Sequence, residues 1–144
     1  MDASLIEKLD KSRYNLMMWL TIGWTFWYGT YIAKDFINNR LINGFLFIIG
    51  SIGWILFTVS LVNTLRLGKK VKSNSKLKEA LNNEMHQLYR YKSFFWGFFI
   101  FIVTISIFLV ISSFHQISAL IVCEITLFFG ILASFIAWLV FNKD

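Results

Sequence analysis

Four apolar runs, Tyr14–Ala33, Leu41–Leu65, Ser93–Phe114 and Ile117–Phe141, span 20, 25, 22 and 25 residues. Glu124 is the one formally charged side chain within them. At about 1.5 Å per residue each run reaches roughly 30 Å as a helix, the thickness of a bilayer's hydrocarbon core. A water-soluble domain interrupts its apolar segments with a polar face, and these runs carry none. The expectation is an all-α integral membrane protein with four transmembrane helices paired as two antiparallel hairpins. About 50 of the 144 residues lie outside the runs. That leaves a single four-span domain over residues 1–144, with a basic loop and helix at 66–92 between the hairpins.

A cleavable signal peptide is the alternative reading of the first run. It fits poorly, because the run is long for such a segment and no small-x-small site precedes Lys34. Cys123 is the sole cysteine and sits inside the fourth run, so it forms no internal disulfide and does not report on redox compartment.

The net charge of +6 belongs to topology rather than to a nucleic-acid surface. Residues 66–92 carry Arg66, Lys69, Lys70, Lys72, Lys76, Lys78, Arg90 and Lys92. Lys8, Lys11 and Arg13 precede the first run and Lys143 follows the last, whereas the other two connections hold only Lys34 and Arg40. Twelve basic residues against two is a strong positive-inside bias. Both termini and the middle segment are therefore expected in the cytoplasm, and the membrane is expected to be a bacterial inner (plasma) membrane. Lys69, Lys70, Lys72, Lys76 and Lys78 form a juxtamembrane cluster suited to anionic headgroups, each contributing up to about 1 kcal/mol. Nucleic acid is not expected as a partner, since no aromatic-interleaved binding surface accompanies the charge.

Connections are short. Lys34–Arg40 joins the first pair of runs, and His115 with Gln116 forms almost the whole turn of the second pair. Residues 1–13 read as a short amphipathic lead-in. Gly68–Ser75 reads as a basic turn, with Asn74 or Ser75 as the cap of a helix running from about Lys76 to Ser113. Its first part, Lys76–Lys92, carries Leu77, Leu81, Met85 and Leu88 on one face and offers a docking surface. Arg13-Tyr14-x4-Trp19 matches Arg90-Tyr91-x4-Trp96 at an offset of 77 residues, and Gly53 matches Gly130. Two hairpins of like orientation would allow a parallel repeat. Interfacial anchoring at two cytoplasmic helix starts explains the same residues and is the preferred reading.

Small residues stripe several runs. In the fourth, Ala119, Cys123, Thr126, Gly130, Ala133 and Ala137 recur every three or four residues, a helix-packing seam that lets backbones approach. The second run has a looser version in Asn43, Gly50, Gly53, Ser60 and Thr64. The first has Thr21, Thr25, Gly29 and Ala33. Glu124 points about 130° away from the seam's centre and lies roughly 10 Å below the outer end of its run. An acid at that depth is costly. It is either an intramembrane proton or cation site, a polar contact with another helix, or a neutral carboxyl hydrogen-bonded nearby.

Catalytic constellations are absent. His86 and His115 fall on opposite sides of the expected membrane and cannot share a metal. No Walker loop, nucleophile elbow or HExxH occurs. No cofactor or metal is expected, and no enzymatic activity. The function expected is association of a small multi-pass membrane protein with itself or with a membrane partner. A small ion or solute transporter, or a pore subunit using Glu124, is the alternative. The absence of proline and of broken helices counts against transport.

Overall fold

A computed structural model describes residues 3–73 and 84–143, with side chains described from residue 6 of the first stretch and residue 86 of the second. The expected cap at Asn74 or Ser75 and the helical segment Lys76–Asn83, with Lys76 and Lys78, lie outside these residues. Four helices make up the described structure: α1 Ala3–Phe36, α2 Arg40–Lys72, α3 Glu84–Ser112 and α4 Ala119–Phe141. Three of them are long and apolar enough to cross a membrane: α2, α4, and α3 from His86 to Ser112. Although α1 is the longest, at 34 residues, its middle uses Trp19, Trp24, Trp27, Tyr28 and Tyr31 where the others use Leu, Ile and Phe. Such rings carry a polar atom each and lower the hydropathy of the segment.

Local chemistry sets the helix ends. The Asn39 side chain caps α2 by accepting from the backbone N–H of Leu41 (3.0 Å) and of Ile42 (3.4 Å). The link from α1 to α2 is accordingly only Ile37–Asn39, shorter than the sequence suggested. At the other end of α2 the expected turn at Gly68 does not form, and the helix runs on to Lys72. Leu67 and Val71 remain half-buried one turn apart, and Lys69, Lys70 and Lys72 sit at a helix C-terminus, where the macrodipole favours cations. Ser73 closes the helix, its N–H donating to the Lys69 carbonyl (3.0 Å) and its hydroxyl to that of Lys70 (2.9 Å). The connection between α3 and α4 spans residues 113–118, longer than the tight turn expected at His115 and Gln116.

Packing is extensive within each hairpin, α1 on α2 and α3 on α4, and the hairpins meet through α1 and α4. Helices α2 and α3 share no comparable interface. The helices thus form a row, α2–α1–α4–α3, rather than a closed bundle. A pair of repeats related by a two-fold axis would bring α2 against α3 as well as α1 against α4, so the row lacks that symmetry.

Burial is inverted relative to a water-soluble protein. Among the described residues the large apolar side chains that are buried are Leu20 and Trp24. Exposed ones, such as Phe45, Phe47, Phe94, Phe95 and Leu109, cover the outer faces of α2 and α3. A contiguous apolar surface of that kind needs lipid or another protein against it. Many hydroxyl groups are satisfied within their own helices, as an apolar surround favours. Thr21, Thr58, Thr64, Ser93 and Thr104 each donate to the carbonyl four residues earlier, at 2.6–2.8 Å.

Candidate functional site

Because α4 lies between α1 and α3, it buries two faces. Towards α3 the contact is built on glycine. A Cβ on Gly97 would fall onto the Ser134 hydroxyl and within 2.8 Å of the Gly130 carbonyl oxygen. One on Gly130 would meet the Phe101 ring and Cβ at 3.2 Å. Thr126, one turn from Gly130 and 2% exposed, lies on the same face. Its hydroxyl, unlike the others, finds no hydrogen-bond partner among the described residues.

The face towards α1 is aromatic. Phe128 stacks on Tyr28 with ring centroids 6.2 Å apart, and Phe135 meets Trp24 edge-on at 6.4 Å. Gly29 lets the Phe128 ring come within 3.6 Å of where its Cβ would be. Glu124 is one turn before Phe128 and so belongs to this face. Its side chain is 8% exposed, and no donor among the described residues reaches Oε2. Tyr28 is within its electrostatic reach. A carboxyl here is lodged between the hairpins with no cation beside it in either span. Nearby, Trp24 stacks on Tyr28 at 4.8 Å, and its buried indole Nε1 is likewise unpartnered among the described residues.

The residues of the α4 seam are thus separated in space. Thr126 and Gly130 are buried, Ala119 and Cys123 are exposed, and Ala133 and Ala137 are half-buried. The last two line an open apolar groove of about 500 Å³ between α3 and α4, walled by Trp96, Ile100, Ile136, Val140 and Phe141. In the first hairpin Gly50, Gly53 and Ser60 form the buried side of α2. Their closest counterpart on α1 is Gly23, which lies outside the Thr21–Ala33 stripe. A Cβ there would sit 2.5 Å from the Phe57 backbone nitrogen.

The first turns of α1, the end of α2, the start of α3 and the end of α4 gather at one end of the row. There His86 Nδ1 lies 3.3 Å from Asn142 Oδ1, while His115 is in the connection at the opposite end. Lys69, Lys70 and Lys72 are exposed on the last turns of α2. Sequence reasoning missed a second basic group at this end, formed by Arg13 and Arg90 with Lys72. These residues line one cavity together with Trp138. The matching Arg-Tyr-x4-Trp segments were the signal for it, since they place an arginine at the corresponding position of α1 and α3. The chain matches no protein-family model, no curated protein and no solved structure.

Proposed function

We propose that this is a non-enzymatic multi-pass protein of the plasma membrane that acts by helix association, with itself in the first instance. The open groove beside Ala133 and Ala137 carries this reading. Without a hydrophobic driving force between helices in lipid, association depends on close packing, and small residues flanked by large ones offer a partner side chain a place to insert. The α2–α1–α4–α3 row also leaves α3 with one neighbour and its Phe-rich opposite face outward. A crossing by α1 is supported by its position between α2 and α4, both apolar enough to span. The positive-inside rule, with Lys11, Arg13, Lys69, Lys70, Lys72, Arg90 and Lys143 at one end of the row, supports a cytoplasmic placement of that end. Filling the groove with Ala133→Leu/Ala137→Leu should reduce self-association in bilayer nanodiscs while helicity is retained. An unchanged distribution of masses would reject the groove as the contact.

A second reading rests on Glu124, a buried carboxyl whose Oε2 has no hydrogen-bond partner among the described residues, as a proton or cation site in transport. In that case Glu124→Gln abolishes pH-driven flux in reconstituted liposomes. Undetectable flux with the wild-type chain removes this reading.

A further inference from the structure

Where α2 fails to reach α3, the row leaves a cavity of about 440 Å³ at the end that gathers the first turns of α1 and the end of α4, and all four helices contribute to its wall. Its rim is basic: Arg13 from α1, Lys72 from α2 and Arg90 from α3. Leu16, Leu67 and Trp138 line the same space and make part of its wall apolar. No acidic side chain is among its described lining residues. The acid nearest in sequence, Asp10, meets Arg13 at 3.4 Å and lines a neighbouring cavity with Glu7 instead.

Three cations converging on one space repel each other, and the Arg13 side chain is only 17% exposed. Burial lowers the Arg13 pKa from its ordinary value, Asp10 opposes that shift, and Arg90 adds to it. A guanidinium nevertheless stays charged at any physiological pH. Guanidinium forks lining a cavity match phosphate oxygens in particular. The apolar wall determines which phosphate. A free ion leaves Leu16, Leu67 and Trp138 uncovered, whereas a phosphate joined to acyl chains fills both parts. Indole rings also favour the headgroup level of a bilayer, which sets this cavity at the depth of a lipid phosphate.

We propose that the cavity is a binding site for the phosphodiester headgroup of an anionic phospholipid of the cytoplasmic leaflet. Arg13, Lys72 and Arg90 hold the phosphate, and Leu16, Leu67 and Trp138 cover the adjoining ends of the acyl chains. This assignment is separate from the exposed lysines at 69 and 70, which attract a charged surface without defining a place on it. It rests on the membrane reading and not on self-association, so selective retention of lipid by a monomeric chain would support it.

The test uses the full chain in nanodiscs of mixed phosphatidylglycerol and phosphatidylcholine, released for native mass spectrometry. The wild type is expected to retain phosphatidylglycerol about tenfold above its bulk share. Lys72→Gln/Arg90→Gln, which spares the more buried Arg13, should return retention to the bulk share with helicity unchanged. Lys69→Gln/Lys70→Gln makes the same change in charge outside the cavity and should leave retention at the wild-type value. Equal retention by wild type and the cavity variant, or equal loss in both variants, overturns the site. So does thermal stabilisation in detergent by inorganic phosphate that matches the effect of phosphatidylglycerol, because the occupant would then not be a lipid.

Discussion

Each hairpin of this protein crosses at a pair of glycines, Gly23 with Gly53 and Gly97 with Gly130, yet the two crossings are built differently. In the first, each glycine faces backbone: Cβ atoms placed there would lie 2.5 Å from the Phe57 nitrogen and 2.5 Å from the Trp27 nitrogen. Aromatic rings then seal the hairpin around the crossing, with Trp24 and Trp27 each about 5.5 Å from Phe57 by ring centroid. In the second, Gly130 faces the side chain of Phe101, and beyond Ser134 the helices part to leave the groove beside Ala133 and Ala137. The first hairpin packs Gly23 and Gly53 against backbone and keeps a groove of about 400 Å³ whose lining includes the polar Thr30, Lys34 and Ser51. The groove of the second, beside Ala133 and Ala137, is lined by aliphatic and aromatic side chains, and that difference is the physical basis for assigning association to α3 and α4.

The same substitution in the two hairpins should therefore have unequal effects. Gly23→Ala should destabilise the protein by about 2–3 kcal/mol, because backbone cannot move aside as a side chain can. Reversible unfolding in mixed micelles measures this, and a loss no larger than that of Gly130→Ala would break the comparison. Gly130→Ala should cost about 1 kcal/mol or less, since Phe101 can yield and alanine is the better helix former.

Glu124→Leu should raise stability by about 1 kcal/mol, because it removes a buried carboxyl oxygen that has no hydrogen-bond partner among the described residues. Destabilisation in the same assay would mean that the carboxyl is held by a contact of its own. The smallest expected effect on stability is that of Ala133→Leu/Ala137→Leu, within about 0.5 kcal/mol, as befits groove positions that no neighbouring helix fills. A large loss there would mean that the protein's own packing already fills the groove.

Much of the fold was legible in the sequence because the bilayer imposes a length and a hydropathy on whatever crosses it. For that reason the run at 41–65 falls within α2, and those at 93–114 and 117–141 overrun α3 and α4 by two residues each, at the connection between them. The first run was legible as a helix, but its Trp and Tyr content keeps it below the hydropathy of the other three. Gly68 misled as a turn signal, since the tertiary contact of Leu67 and Val71 and the favourable lysines at the helix end outweigh one glycine. The periodicity of Ala119 to Ala137 identified a face of α4, but periodicity does not tell how far along that face a neighbour extends. Here Thr126 and Gly130 are covered while Ala133 and Ala137 open onto the groove. The closest approaches, at Gly23 and Gly97, escaped notice because an isolated glycine in an apolar run has no periodic signature. Likewise, the convergence of Arg13, Lys72 and Arg90 depends on the order of helices in the row, which no local pattern encodes.

If the open groove of the second hairpin is an association surface, the mass of the protein in a bilayer nanodisc is that of two or more chains for the wild type, and of a single chain for Ala133→Leu/Ala137→Leu at unchanged helicity. A single chain for the wild type under the same conditions would contradict it.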